Sequence, residues 1–328
     1  MISDEYTDTL EVAPEDLRRP WTTWTGRAVT AAVIVVVLLL RLWPHDEKRT
    51  IEAVAVGNMA CESADPRFGD GEGADGWCEQ AAVSDLAADL DLDVFFGLGD
   101  YQYEEPKGDD YETVYDRSWG RLRDITRPAL GNQEYKVHEA NTFREYFGSR
   151  AGPEHGWYSY DIGKWRVFVL NSNCALADGC EEGSPQLEWL QNELERDQPT
   201  CTLAYWHHPR WSSGIGGPDA RVDAFWKAVE NAGVDLVLSA HDHDYQRFAP
   251  LDADGRPDDK GTRSFVVGTG GQAVYPPEEP AGGPAPEIRL EEHGVLLLTL
   301  TEESYQWEFV GLDGTTLDQG EASCNTST

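Results

Sequence analysis

Four short segments carry the residue types of a metal centre: Gly99-Asp100-Tyr101-Gln102-Tyr103, Gly131-Asn132-Gln133-Glu134, Trp206-His207-His208-Pro209 and Ala240-His241-Asp242-His243. Their oxygen and imidazole donors suit iron, zinc or manganese. Two divalent ions about 3.5–4 Å apart can clamp an in-line displacement at phosphorus. Such a pair needs a bridging carboxylate, and Asp100, preceded by Gly99 and an apolar run, is the best candidate. Asn132 can offer an amide oxygen. His241 and His243 stand two apart, sharing a face if extended or reaching different ions from a turn. Asp244 could orient one imidazole from behind. Each segment also has a plain reading on its own: His-His-Pro as loop chemistry, Asn132 as a turn residue. What joins them is that a strand is predicted to end at nearly every one.

Hydrophobic periodicity supplies the elements that must position these groups. Glu52–Val56 reads as a strand entering a glycine turn, Trp77–Leu90 as a helix, and Asp93–Leu98 as a buried strand ending at Gly99-Asp100. That β-α-β order predicts a right-handed crossover, with ligands at the carboxyl ends of strands. Trp157–Ile162 and Trp165–Asn171 read as a hairpin around Gly163-Lys164. Ser184–Arg196 reads as a helix with Ser184 as N-cap, and Asp219–Asn231 as a helix stopped at Gly233. Thr202–Trp206 and Val234–Leu238 are strands running into His207 and His241. Arg263–Val267 and Val295–Thr301 are expected in a second sheet region, with Tyr305–Val310 as a hairpin partner.

The chain of 328 residues allows one large α/β domain, and 40% apolar content with 12 Trp is enough for a sizeable core. Net charge is −34, with 60 acidic against 26 basic residues, which disfavours nucleic acid and anionic membrane surfaces as partners. Bound cations would reverse that sign locally. Residues 1–20 read as an acidic tail, 21–43 as a transmembrane or signal-anchor segment, 44–50 as a linker and 51–328 as the globular domain. The apolar run Ala28–Leu40 is shorter than the roughly 20 residues of a span, but Trp21, Trp24, Leu42 and Trp43 extend it and Arg27 and Arg41 can snorkel. A cleaved signal peptide and a buried strand or helix are the competing readings. Basic residues tie across the segment: Arg18, Arg19 and Arg27 before it, Arg41, Lys48 and Arg49 after it. The cysteines break the tie. Proximity pairs Cys174 with Cys180 and Cys61 with Cys78, leaving Cys201 for Cys324. Such disulfides, against the competing reading of six buried free thiols in a cytosolic enzyme, would place the domain outside the cytoplasm, on a single-pass protein of the cell membrane or secreted if the segment is cleaved.

The four motifs, in this order, resemble the calcineurin-like metallophosphoesterases, in particular the purple acid phosphatase-like branch, over roughly residues 52–310. The resemblance implies a four-layer α/β/β/α sandwich with two mixed sheets. It implies a phosphoesterase of acid-phosphatase type, acting on a small phosphoester through a hydroxide at two metal ions (Fe, Zn or Mn). Asp100 would bridge the ions. Tyr103 and His243 would bind the first, and Asn132, His207 and His241 the second. Asn58 stands where the family has its first aspartate; its amide oxygen is still a candidate ligand, but a negative charge is lost and ferric iron is disfavoured. Gln133 replaces the histidine that contacts substrate phosphate and cannot carry a proton. His208 or His155 could supply the missing proton donor, with a surface or core role the plainer reading of His155. The alternative is a degenerate domain of the same fold that binds a phosphate ligand or a cell-surface partner.

Overall fold

The computed structural model describes residues 50–73, 76–196, 199–276 and 282–325. The expected tail and anchor, residues 1–20 and 21–43, lie outside them. Among the described residues no helix is long and apolar enough to cross a membrane.

Strands form where β-branched and aromatic residues run between turn residues. In chain order they are β1 (Ile51–Val56), β2 (Val94–Gly97), β3 (Thr126–Pro128), β4 (Tyr158–Ile162), β5 (Trp165–Val169), β6 (Cys201–Tyr205) and β7 (Leu236–Ser239). There follow β8 (Tyr245–Arg247), β9 (Arg263–Val267), β10 (Ile288–Leu290), β11 (Gly294–Leu300), β12 (Ser304–Gly311) and β13 (Thr316–Ser323). One sheet has the order β13-β12-β11-β1-β2-β3, the other β10-β8-β9-β7-β6-β5-β4. Both are mixed. β1, β2 and β3 run parallel while β11 pairs antiparallel with β1. β5, β6, β7 and β9 run parallel between antiparallel edges.

The side-chain period of two divides the second sheet's residues between two cores. Val167, Val169, Leu203, Tyr205, Leu236, Leu238, Phe265 and Val267 face a core shared with β1, β2 and β11. The alternate residues Phe168, Ala204, Trp206, Val237 and Val266 face a second core, closed by the helices Pro185–Leu194 and Asp223–Asn231. Each fully buried side chain of this size contributes about 1.5–3 kcal/mol. Strands buried on both faces have no polar alternation, which is why these runs read as continuously apolar.

Ser184 caps the first of those helices, its Oγ accepting from the Leu187 N–H at 3.4 Å, with Pro185 in the first turn. The predicted helix over 219–231 divides into a turn at 220–222, capped by Asp219, and a helix from Asp223. The helix near residue 77 starts only at Gln80. Cys78 before it has a φ of 59°.

One expectation is corrected. Arg263–Val267 and Val295–Thr301 do not share a sheet: β9 lies parallel to β7, whereas β11 pairs with β1 and β12. β9 is buried from Ser264 to Val267, as an interior strand must be. The three disulfides Cys61–Cys78, Cys174–Cys180 and Cys201–Cys324 are those expected from proximity.

Candidate metal centre

Two strands of each sheet deliver the candidate donors. β1 leads to Asn58 and β2 to Asp100; β6 leads to His207 and β7 to His241. At three of these ends the chain turns sharply, with φ of 57° at Asn58, 55° at Asp100 and 67° at His241. Asn, Asp and His are the non-glycine residues that best tolerate this left-handed region. Gly99, at φ +92°, leaves no room for a side chain: a Cβ would sit 2.7 Å from both the Gly131 nitrogen and His207 Nδ1. At Gly131 a Cβ would fall 2.2 Å from Asp100 Oδ1. The glycines therefore let the backbones close around the acid.

His207 is fully buried and its Nδ1–H donates to the Leu98 carbonyl at 2.8 Å. That fixes the tautomer and turns Nε2 inward. Nε2 lies 3.2 Å from Asp100 Oδ2, 3.2 Å from Asn132 Oδ1 and 3.3 Å from His241 Nδ1. When His207 is neutral, three lone pairs, on Nε2, Asp100 Oδ2 and Asn132 Oδ1, meet here beside His241 Nδ1. Either a proton or a cation must settle among them. Accordingly, although burial opposes an imidazolium, the Asp100 carboxylate raises the His207 pKa. Burial likewise opposes ionisation of Asp100, but His207 and the Gln133 N–H hold its carboxyl well below the usual range.

The same carboxylate oxygen serves a second group of donors. Tyr103 Oη donates to Asp100 Oδ2 at 2.8 Å and lies 3.4 Å from His243 Nε2. His243 Nδ1–H donates to the Ala273 carbonyl at 2.7 Å, again turning Nε2 toward the centre. Burial and the neighbouring Asp100 push the Tyr103 phenol pKa well up, so it is a neutral donor here. Burial lowers the pKa of His241 to about 4, with His207 adding to the effect. Burial also lowers that of His243. Both shifts disfavour the imidazolium form, in which a ring has no lone pair to give.

The donor set fits divalent cations: hard and borderline donors converge, and carbonyl groups hold His207 and His243 each in the tautomer that turns Nε2 inward. Gln133 adds another. Its backbone N–H binds Asp100 Oδ1 at 2.8 Å, while its side chain, only 6% exposed, holds a buried Oε1 with no partner among the described residues.

Asn58 sits differently from its expected place as a ligand. Its Oδ1 accepts the His241 N–H at 3.0 Å and its Nδ2 donates to the His241 carbonyl at 3.2 Å. The amide is engaged edge to edge with the backbone of the His241 loop. Asp244 does not orient an imidazole. Its carboxylate accepts from Arg289 Nε at 2.7 Å and Gln246 Nε2 at 2.8 Å, and the carbonyl of Ala273 takes the role at His243. His208 is buried, with Nδ1 2.8 Å from Ser172 Oγ and its ring 4.4 Å from that of His241. Burial, reinforced by His207 and His241, lowers its pKa to about 2. The ring is therefore neutral rather than a ready proton donor.

Sequence reasoning gave no role to Glu134, though it lies in a quoted motif. The side chain is fully buried and accepts from the backbone N–H groups of Asp100 (3.0 Å), Tyr101 (2.9 Å) and Gly131 (2.7 Å), and from Tyr111 Oη (3.1 Å). It locks the Asp100 and Asn132 loops together. Burial and Asp100 push its pKa up to about 7, against the pull of these donors. The carbonyls of Leu98 and Ala273 carried no sequence signal, because any residue supplies a carbonyl.

This geometry coincides with a match over residues 79–245 to the calcineurin-like phosphoesterase profile, and the chain belongs to that family. Within it the likeness is to purple acid phosphatases. Purple acid phosphatase 21 of Arabidopsis thaliana is 28% identical over 203 residues, 55% of this chain and 44% of the relative. Acid phosphatase type 7 of Mus musculus is 23% identical over 185 residues, 49% and 42% of the two chains. The chain thus spans less than half the length of these relatives. Among solved structures, purple acid phosphatase PPD1 of yellow lupin (Lupinus luteus) superposes with a TM-score of 0.67 at 18% identity, covering 84% of this chain and 54% of that one. GAP50, the anchor in the inner membrane complex of Plasmodium, superposes with a TM-score of 0.62 at 12% identity, covering 86% and 90%. At these identities the structures speak to the fold.

Proposed function

We propose that the protein is a metal-dependent phosphoesterase acting on phosphomonoesters, with diesters as the near variant, at a site for two cations. The observation that carries this reading is Asp100 Oδ2, placed between the Asn132–His207–His241 donors and the Tyr103–His243 donors. Cations bound there would supply polarisation of the phosphoryl oxygens and a water of lowered pKa. The protein's own part is positioning. Leu98 and Ala273 fix the rings of His207 and His243, and Glu134 fixes the two loops that carry Asp100 and Asn132. Gln133, where the family resemblance puts a phosphate contact, can hydrogen-bond a substrate oxygen but cannot pass it a proton.

The disulfides support an oxidising, extracytoplasmic setting. Anchoring through residues 21–43 is part of the proposal.

The test is turnover of 4-nitrophenyl phosphate by purified protein supplied with Fe²⁺, Zn²⁺ or Mn²⁺. Turnover that falls by about 100-fold or more in Asp100→Asn supports the reading. Tight metal binding without turnover of mono- or diesters would favour a binding module instead. That second reading has its own support in the neutral Asn58, already engaged by the His241 backbone, and in Gln133.

A further inference from the structure

We propose that His208 is a third imidazole donor to the cation of the His207 side, which makes this half of the centre nitrogen-rich and the tighter of the two. This rests on the phosphoesterase reading only in requiring that a cation binds. The residue stood in the sequence as a proton donor; three observations assign it otherwise.

First, one donor atom each of His207, His208 and His241 lie within 4.8 Å of one another. The imidazole–metal bond of about 2.0–2.1 Å puts two donors roughly 3 Å apart when adjacent around an ion and roughly 4.2 Å apart when opposite. His207 Nε2 already stands 3.2–3.3 Å from Asp100 Oδ2, Asn132 Oδ1 and His241 Nδ1, the adjacent spacing. A His208 nitrogen lies within 4.8 Å of the His207 and His241 donor atoms, a reach that spans both the adjacent and the opposite spacing.

Second, His208 is oriented as the other rings are. Its Nδ1 faces Ser172 Oγ at 2.8 Å, and that oxygen also accepts the His208 backbone N–H at 3.0 Å. Ser172 Oγ thus holds the ring in place, and in the tautomer whose Nδ1–H donates to it Nε2 keeps the lone pair. Leu98 and Ala273 hold His207 and His243 in the same sense.

Third, the ring faces other rings. Its centroid lies 4.4 Å from that of His241 and 4.9 Å from that of His207, and the residue is 5% exposed. Three imidazoles, one carboxylate and one amide oxygen leave one of six positions for substrate or water. Nitrogen-rich sets favour Zn²⁺ or Fe²⁺ over Mn²⁺ and Mg²⁺. The Tyr103–His243 side, with one imidazole and a neutral phenol, competes poorly for the first ion.

The experiment titrates the full chain with Zn²⁺ and counts imidazoles by X-ray absorption at one equivalent, in a His243→Ala background that removes the fourth ring. The expected count is three, falling to two in His208→Ala with Zn²⁺ affinity about 100-fold weaker. Ser172→Ala keeps the ring but frees it, so the count stays at three while affinity drops about tenfold. A count of two with His208 present, or unchanged affinity in a folded His208→Ala protein, overturns the proposal. Should His208→Ala fail to fold, the count with His208 present decides alone. Absence of any Zn²⁺ binding would overturn the phosphoesterase reading as well, whereas binding through two imidazoles would overturn only this one.

Discussion

Replacing Asn58 by aspartate introduces the acid that the family resemblance implies at this position, and its cost to stability should shrink when a metal is added. Asn58 is fully buried and pairs with both polar groups of the His241 backbone, at 3.0 and 3.2 Å. Aspartate keeps the bond from the His241 N–H but loses the donor to the carbonyl, setting two oxygens face to face. The lost bond, the unpaired carbonyl and the buried charge together cost about 2–4 kcal/mol in metal-free protein at pH 8. Burial raises the folded pKa of the new carboxyl above its unfolded value of about 3.9. The penalty is therefore smallest below about pH 4 and grows as pH rises through the folded pKa. With a divalent cation present the added charge offsets part of this cost. A tenfold gain in affinity appears as about 1.4 kcal/mol of extra stabilisation at saturation. Urea denaturation of Asn58→Asp and the unaltered protein, at pH 4 and 8, with and without Zn²⁺, measures every term. Equal metal-free stability at pH 8, or an equal gain from Zn²⁺ in both proteins, refutes the assignment of the Asn58 amide as a neutral clamp in a cation's place.

Two further perturbations follow. Glu134→Ala strands three backbone N–H groups and a tyrosine hydroxyl, and should lower urea stability by at least about 3 kcal/mol, with metal affinity falling alongside as the Asp100 and Asn132 loops loosen. Burial pushes Asp235 from 3.8 up to about 6, so it favours the folded state fully below about pH 4 and loses up to about 3 kcal/mol of that contribution as pH rises through 6; a stability profile of the metal-free protein that does not fall over this interval because of Asp235, as judged against Asp235→Asn, would contradict it.

Most of the interior was legible because its strands obey simple periodicity. β6, β7 and β9 are largely apolar runs bounded by turns, and each reads correctly to within a residue or two. The strands that escaped are short or exposed edges. β8 and β10 have three residues each, and β13, Thr-Leu-Asp-Gln-Gly-Glu-Ala-Ser, is largely exposed and too polar to declare itself. The helix Asn141–Phe147 was missed for want of a start signal: Ala140 precedes it at φ 53° with no side-chain cap. At the site, residue types and strand ends marked the donors. What they could not mark was the other end of each hydrogen bond. The carbonyls of Leu98 and Ala273 and the hydroxyl of Ser172 leave no trace in composition, and Asp244 was assigned an orienting role that a backbone group fills.

The bond between Cys201 and Cys324 acts on the site from a distance. Cys201 opens β6, six residues and roughly 20 Å of extended chain before His207. Cys324 follows β13, the outer strand of the other sheet. One leaf of the sandwich carries Asn58 and Asp100, the other His207 and His241, so a gape between the leaves would scatter the donors. Pinning the leaves at the end away from the mouth restricts how wide that gape becomes. An ion then enters a receptacle already shaped for it, and reduction of this one bond should slacken the mouth without touching a single ligand.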